Sequence, residues 1–374
     1  MISRYLEPYI EKDIAGGKAI IIFGARQVGK TTLLKQMFGD SDAVWLNADE
    51  ESVRNLFDQF SAAKFEMMLG DKKVFILDEA QRIADIGLKL KIAQDNFGDK
   101  VQIIATGSSS FELANKINEP MTGRKWEYHM YPLSFSEMVS HHGLVKEMES
   151  LENRLLFGYY PDIVSSPSDA QRRLQQLVDD NLYKDILQLD GINKPSKLSD
   201  LLKALAFQIG AQVSVNELSN IVGLDNKTVE KYLSLLEQSY VIFHISSYSS
   251  NLRNEIKSSN KYFFYDVGVR NAIIGDFRPI SIRQDIGGLF ENFIIAELQK
   301  TVTKKEQFFW RTHQQQEVDY LWFNNGEMSA AEIKWNEKRN PRLPKTFTEK
   351  YNPSDVHYLN RQNFYELLLA EQSK

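Results

Sequence analysis

Gly24-Ala25-Arg26-Gln27-Val28-Gly29-Lys30-Thr31 lies between an apolar run, Ala19–Phe23, and a helix-like segment, Thr32–Met37. A strand followed by Gly-x-x-x-x-Gly-Lys-Thr and a helix is the context in which this motif forms a phosphate-binding loop. The glycines allow the backbone to curl so that successive N–H groups point at phosphate oxygens, and the helix N-terminus favours the same anion. The motif predicts binding of a nucleoside triphosphate; the alternative is a glycine-rich turn with no ligand.

Nine residues, from the loop to the start of the helix, are expected to contact the nucleotide: Gly24, Ala25, Arg26, Gln27, Val28, Gly29, Lys30, Thr31 and Thr32. In such loops the lysine reaches the β- and γ-phosphates, which is the role we expect for Lys30. The hydroxyl that follows it ligates Mg²⁺, which is the role we expect for Thr31. The sequence therefore predicts ATP and Mg²⁺ as cofactors.

Apolar runs separated by helix-length segments predict a parallel sheet. Four strands and a fifth candidate are expected, at Ala19–Phe23, Ala43–Asn47, Lys73–Leu77, Val101–Thr106 and Lys125–Tyr131. The third run delivers Asp78 and Glu79 to the carboxyl edge of the sheet, where open α/β folds bind ligands. We expect Asp78 to hold Mg²⁺ and Glu79 to polarise the water that attacks the γ-phosphate. For an isolated Asp-Glu pair, the alternative is a helix N-cap.

Two further residues are candidates for catalysis. Ser108 belongs to a cluster of hydroxyl residues after the fourth strand and is placed to sense the γ-phosphate or hold the lytic water. The alternative for Ser108 is a serine-rich turn that caps the next helix. Arg124 directly precedes the fifth strand and is a candidate arginine finger, whose charge stabilises the transition state of phosphoryl transfer. The alternative for Arg124 is an ordinary surface charge.

Taken together, these segments resemble the AAA-type ATPases of prokaryotes, and more closely the archaeal-ATPase-like branch with a C-terminal restriction-endonuclease-like domain. The segments that carry the resemblance are Gly24–Thr31, Leu77–Arg82, Thr106–Ser109, Gly123-Arg124 and Tyr131–Phe135. The resemblance covers nearly the whole chain and is most specific in the ATPase half. It implies that the arginine before the fifth strand acts on the nucleotide of a neighbouring subunit, so a homo-oligomer is a candidate assembly.

The middle of the chain is predicted to be helical, with helical periodicity at Leu151–Phe157 and Ala170–Leu189. The resemblance implies that this region is the lid over the nucleotide. Gly158-Tyr159-Tyr160-Pro161 is similar to the lid motif Gly-Gly-Tyr-Pro, but Tyr159 departs from it, so these residues receive no catalytic role. The Pro195-containing stretch Gly191–Ser199 is typical of a linker.

Beyond this linker, a helix-turn-helix pattern followed by two strands predicts a winged helix. Its elements are expected at Ser199–Phe207, Val215–Val222, Asn226–Ser239, Tyr240–Ile245 and Lys261–Tyr265. The third helix, which is the candidate recognition helix, is electrically neutral because Lys227 and Lys231 are balanced by Glu230 and Glu237. The wing carries a net charge of +2, from Arg253, Lys257 and Lys261 against Glu255. Two interpretations stay open: contact with DNA, and a structural or protein-binding winged helix.

The last hundred residues contain the acid and lysine pattern of the restriction-endonuclease-like fold. Strand-like segments carry Asp319 and the sequence Glu332-x-Lys334, and Glu291 lies near the start of a preceding amphipathic helix. Glu332 and Lys334 share a face because side chains alternate along a strand. Converging carboxylates bind Mg²⁺, and an ammonium beside them orients water against a phosphodiester. A nuclease site is one interpretation of this pattern. The others are surface salt bridges and a nuclease-like domain that has lost catalytic activity and only binds a partner.

Composition narrows the function classes. The chain has no cysteine, which excludes disulfides, thiolate catalysis and cysteine-ligated zinc. A net charge of −5 argues against indiscriminate binding of nucleic acid but permits a local basic face. We find neither the apolar core of a signal peptide nor a stretch long enough to span a bilayer, so a cytoplasmic location and no membrane partner are expected.

The expected fold class is α/β, with a P-loop parallel sheet and a helical lid, followed by a winged helix and a small restriction-endonuclease-like domain. The corresponding domains are residues 1–133, 134–195, 196–272 and 273–374. The expected function is Mg²⁺-dependent ATP hydrolysis that drives or gates action on DNA. The alternative is a nucleotide-gated regulatory or protein-binding switch with an inactive nuclease-like domain.

Overall fold

The fold is that of a computed structural model. It describes residues 2–14, 16–39, 43–108, 117, 120–182, 194–249, 260–301, 306–336 and 342–372. The chain divides into two compact units. Unit 1 comprises Met1–Leu133 with Gln238–Tyr240, and unit 2 comprises Ser134–Glu237 with Val241–Lys374.

Unit 1 is built on a five-stranded parallel sheet. Its strands are β1 (Ala19–Phe23), β2 (Ala43–Asn47), β3 (Val74–Asp78), β4 (Gln102–Gly107) and β5 (Lys125–His129). Their order across the sheet is β2-β3-β4-β1-β5, and every neighbouring pair is parallel. All five residues of β1 are buried, as the uninterrupted apolar run predicts for a central parallel strand.

The described helices of unit 1 precede or connect these strands. They are α1 (Glu7–Asp13), α2 (Lys30–Phe38), α3 (Glu51–Leu56), α4 (Ala62–Leu69) and α5 (Ile86–Phe97), with a 3₁₀ turn at Ala80–Arg82. Helix α2 begins at Lys30 with Gly29 as its N-cap, and α5 begins after Asp85. The strand-loop-helix context expected around the glycine-rich motif is therefore present, and it lies at the carboxyl edge of β1.

Unit 2 contains a seven-stranded mixed sheet. Its strands are β6 (Gln212–Val213), β7 (Ile242–Ser247), β8 (Asn260–Phe264), β9 (Glu306–Arg311), β10 (Glu317–Asn324), β11 (Glu327–Ile333) and β12 (Asp355–Leu359). The order is β12-β11-β10-β9-β7-β8-β6, with parallel pairing at β7–β9 and β11–β12 and antiparallel pairing elsewhere. One sheet therefore joins the strands of the predicted winged helix to those of the predicted nuclease-like domain.

Unit 2 also contains twelve α-helices among its described residues. They are α6 (Phe135–His142), α7 (Leu144–Glu149), α8 (Leu151–Phe157), α9 (Pro161–Ser165), α10 (Ala170–Gln176), α11 (Pro195–Phe207), α12 (Val215–Val222), α13 (Asn226–Gln238), α14 (Val267–Ile274), α15 (Ile286–Gln299), α16 (Lys345–Tyr351) and α17 (Phe364–Gln372). Short 3₁₀ turns occur at Pro167–Asp169 and Ile280–Ile282, and a π-helical turn at Leu177–Leu182. Within the described ranges, no helix is both long and apolar enough to cross a membrane.

The observed elements differ from the predicted ones mainly at their ends. The fifth strand of unit 1 ends at His129 and not at Tyr131. The helix predicted over Ala170–Leu189 is α-helical only to Gln176, and residues 183–193 lie outside the described part of the chain. Arg253, Glu255 and Lys257 of the predicted wing also lie outside it. The four-domain division, the winged helix and the nuclease-like domain stay predictions, and all described residues after Leu133, apart from Gln238–Tyr240, belong to unit 2.

Candidate functional site

The loop after β1 has the backbone geometry of an anion cradle. Gln27 and Gly29 adopt φ values of +63° and +98°, in the left-handed region, so the chain curls between β1 and α2. A Cβ atom on Gly24 would lie 2.1 Å from the carbonyl oxygen of Met130, so only glycine fits there. Curled backbone of this kind directs successive N–H groups into a concavity that binds anions.

Lys30 lies beneath this loop with its charge directed at it. Its ammonium donates hydrogen bonds to the carbonyls of Gly24 at 2.8 Å and Ala25 at 2.9 Å, and the residue is buried. Of the other residues expected to contact nucleotide, Val28 is buried, Arg26 is half-buried, and Gln27 and Thr32 are exposed. A positive charge held at the loop is what the β- and γ-phosphates require.

Thr31 and Asp78 meet at the carboxyl edge of the sheet, as expected for a magnesium site. The Thr31 hydroxyl donates to Asp78 Oδ2 at 2.6 Å. The other carboxylate oxygen, Oδ1, accepts hydrogen bonds from the hydroxyl of Thr106 and from the backbone N–H of Glu79. These bonds fix the orientation of the carboxylate. A hydroxyl and a carboxylate oxygen in contact are hard oxygen donors of the kind that Mg²⁺ prefers.

Glu79 and Ser108 are joined through a residue that the sequence analysis did not assign. The side-chain amide of Gln81 donates to Glu79 Oε2 at 2.6 Å and to the Ser108 hydroxyl at 2.9 Å. Glu79 itself has a φ of +52°, an uncommon conformation for a glutamate, and lies directly after β3. Two of the predicted catalytic side chains therefore form one polar group beside Asp78.

Arg124 does not lie at this edge of the sheet. It precedes β5, and β5 pairs with β1 in the register Ala19↔Lys125, so Arg124 is at the amino edge. Five residue steps of about 3.3 Å separate Ala19 from Gly24, or roughly 16 Å along the strand. The Arg124 side chain instead forms an ion pair with Asp95 and is 39% exposed. This position does not favour contact between Arg124 and nucleotide bound to its own chain, and a role as an arginine finger toward a neighbouring chain stays a prediction.

Arg4 supports the phosphate-binding loop, a role that was not predicted from the sequence. Its guanidinium donates to the carbonyl of Val28 at 2.6 Å and to that of Tyr131 at 2.7 Å, and it is buried. The N-terminal segment is thereby tied to the phosphate-binding loop. A single arginine about twenty residues before the motif carries no sequence signal for this contact. The contact of Thr106 could have been predicted from the sequence, because Thr106 is the last residue of the fourth buried apolar run.

In unit 2, the structure brings Asp319, Glu332 and Lys334 together. The antiparallel register Tyr320↔Ala331 places Asp319 on β10 directly opposite Glu332 on β11. The Lys334 ammonium lies 2.8 Å from Asp319 Oδ2 and 2.8 Å from Glu332 Oε1. Burial raises the pKa of Glu332, and repulsion from the charge of Asp319 adds to this shift. These three side chains share one face of the sheet, as predicted.

Glu291 joins this group through two residues that were not in the predicted set. Its Oε1 atom is 2.9 Å from the ammonium of Lys261, which also lies 2.5 Å from Glu317 Oε1. Burial raises the pKa of Glu291 to about 7; Lys261 opposes this shift, and Asp319 and Glu317 add to it. We name Glu291, Glu317, Asp319 and Glu332, with Lys261 and Lys334, the carboxylate–lysine cluster. In the described ranges no group of three or more acids or histidines is arranged to hold a metal ion.

One stretch of the chain matches a family model that names a type of domain, and two other stretches match models of unknown function. Residues 16–139 match the model of an AAA domain, whereas residues 148–279 and 286–366 match two domains of unknown function, DUF8612 and DUF4143. An uncharacterized protein of Haemophilus influenzae is 27% identical over 301 residues, 74% of each chain. An uncharacterized protein of Methanocaldococcus jannaschii is 23% identical over 370 residues, 92% of this chain and 81% of the relative.

Among solved structures, the chain is similar to a signal transduction ATPase with numerous domains and a tetratricopeptide repeat sensor from Pyrococcus horikoshii. That similarity has 13% identity and a TM-score of 0.31, and it covers 80% of this chain but only 45% of the other. A TM-score this low does not establish a shared fold, so the assignment depends on the family match and on the loop. Residues 16–139 are therefore similar to an AAA domain, and the loop between β1 and α2 has the sequence and the backbone curl of a phosphate-binding loop.

Proposed function

We propose that unit 1 hydrolyses ATP in a Mg²⁺-dependent reaction. The observation that carries the proposal is the contact between Thr31 and Asp78 beside a lysine-bearing phosphate loop. Thr31 and Asp78 would hold the metal ion, which neutralises charge on the phosphates when bound. Glu79 accepts a proton from the attacking water, and Gln81 holds its carboxylate in place.

Lys30→Ala is expected to weaken ATP binding by roughly 10- to 100-fold, because a charge-assisted hydrogen bond is worth about 1.5–3 kcal/mol. Binding is measured by equilibrium titration of the full chain with ATP and Mg²⁺. The matched control is Lys100→Ala, which removes an exposed lysine of the same unit. Unchanged affinity in the Lys30 variant would overturn the assignment of the loop.

Arg124 keeps one proposed role, contact with nucleotide bound to a neighbouring copy. Its exposure at the amino edge of the sheet makes this contact available only between chains. The ATPase assay, run over a range of protein concentrations, tests the proposal together with oligomerisation. Turnover per chain that is independent of concentration in a demonstrated monomer would remove Arg124 from the mechanism.

A second proposal concerns unit 2, which we infer to be a binding module gated by nucleotide and not a metal-dependent nuclease. The observation that favours this alternative is that Lys261, which does not belong to the predicted nuclease pattern, lies 2.9 Å from Glu291 Oε1 and 2.5 Å from Glu317 Oε1. DNA stays a candidate partner through the predicted winged helix. Its candidate recognition helix, α13, is neutral, so a protein partner is the other candidate.

The full chain, with Mn²⁺ or Mg²⁺, is expected to leave duplex DNA intact over hours, to the same extent as Asp319→Ala. Cleavage is followed on gels, and DNA affinity is measured in parallel at several salt concentrations. Affinity that falls steeply with salt would assign DNA as the partner, because phosphate contacts release counterions. Divalent-dependent cleavage that Asp319→Ala abolishes would show a working nuclease and refute the proposal.

A further inference from the structure

Lys261 is buried inside the carboxylate–lysine cluster. It lies on β8, and its ammonium contacts Glu291 of α15 and Glu317 of β10, so it joins three elements of unit 2. Its side chain is 1% exposed. Burial alone would lower the pKa of Lys261, but the carboxylates of Glu291, Glu317 and Asp319 more than offset this and raise it. The lysine is therefore a fixed positive charge.

Positively charged side chains in and beside the carboxylate–lysine cluster offset most of the negative charge of its carboxylates. The four carboxylates carry at most −4, and less where burial raises the pKa of Glu291, while the two ammonium groups contribute +2. The guanidinium of Arg311, 3.6 Å from Glu317 Oε2, returns a further positive charge. A cluster of acids without these partners would need a bound cation to be maintained, because buried carboxylates repel one another. Here, protein side chains supply the cations.

The resemblance to nucleases implies a divalent metal near Glu291, Asp319 and Glu332, and the side chains do not fit that group. Two of these carboxylates have an oxygen bound to Lys334, and the third is bound to Lys261. Of the remaining oxygens, Glu332 Oε2 is buried without a hydrogen-bond partner. Among the described residues, no three acids or histidines are placed together as ligands of one metal ion.

We propose that the Lys261 ammonium, held between Glu291 and Glu317, acts as a built-in counterion for the neighbouring carboxylates of the implied metal site and thereby excludes a divalent cation from it. A tethered ammonium competes with free ions at a high effective concentration. A divalent ion that entered beside it would face repulsion in a poorly solvated site, where charges are weakly screened. The inference concerns the same residues as the second proposed function, but it concerns metal binding and not cleavage, so the two fail separately.

Calorimetric titration of the full chain with Mn²⁺, without nucleotide, tests this proposal. Lys261→Met is expected to bind one more Mn²⁺ per chain than the wild type, with affinity at least about tenfold above any wild-type binding that depends on Asp319. The gain should disappear in Lys261→Met/Asp319→Asn. Lys261→Arg, which keeps the charge, and Lys345→Met, which removes an exposed lysine of unit 2, should bind as the wild type does.

Equal Mn²⁺ affinity in the wild type and in Lys261→Met would overturn the proposal. Thermal unfolding of each variant establishes that it folds, and Mn²⁺ should raise the midpoint more in Lys261→Met than in the wild type. If that variant does not fold, titration of the wild type can still overturn the proposal. Sub-millimolar Mn²⁺ binding to the wild type that Asp319→Asn removes would show that Lys261 excludes nothing.

Discussion

Glu79→Gln should lower the turnover of ATP hydrolysis by roughly 10²- to 10⁴-fold, the usual contribution of a general base. ATP affinity should change little, because Glu79 makes no described contact with Lys30 or with the loop, and glutamine has the same shape. A loss of kcat without a loss of binding identifies a group that acts only in the transition state. Single-turnover hydrolysis and equilibrium ATP binding measure the two quantities separately.

The matched control for this prediction is Glu66→Gln, which makes the same change at an exposed position on α4. It should hydrolyse ATP at the wild-type rate. Hydrolysis at that rate by Glu79→Gln as well would mean that Glu79 is not the base. Equal losses of binding and turnover would instead indicate that its polar contact with Gln81 supports the nucleotide site as a whole.

Much of unit 1 was predictable because its signals are local in sequence. The glycine-rich motif, the buried run of β1 and the carboxylate that ends β3 each occupy a few consecutive residues. The amino-edge position of Arg124 was also available from the sequence, since a residue that precedes a parallel strand lies at the edge opposite the ligand-binding one.

The rest depended on contacts between distant segments, which no local pattern reports. Arg4 donates to the carbonyls of Val28 and Tyr131, which lie 24 and 127 positions away in the sequence. Lys261 was counted as a wing charge, although pairing of β7 with β9 places the wing strands in the same sheet as Asp319. Lys261 is buried against Glu291 and Glu317 because of that strand order. Its place in the carboxylate–lysine cluster could therefore not be predicted from the sequence.

A second buried charge network holds the helical part of unit 2. Glu147 has a fully buried side chain, and its carboxylate accepts hydrogen bonds from Arg154 at 2.9 and 3.2 Å and from the Tyr159 hydroxyl at 2.6 Å. His142 Nε2 lies 2.8 Å from the same carboxylate. Burial raises the pKa of Tyr159 well above its usual value, and the charge of Glu147 adds to this. Tyr159, which departs from the expected lid motif, is therefore a structural partner of Glu147.

Replacing Glu147 by glutamine should destabilise the protein by about 3–5 kcal/mol, because it leaves the mostly buried guanidinium of Arg154 without its counterion. The free energy of unfolding is measured in urea by the fluorescence of the buried tryptophans of unit 2.

Glu149→Gln, on the exposed face of the same helix, is the control and should change stability by less than about 0.5 kcal/mol. In Glu147→Gln/Arg154→Gln the losses should be far from additive, since both residues belong to one network. A loss below about 1 kcal/mol in Glu147→Gln, or additive losses in the double variant, would mean that the charge pair does not hold these helices together.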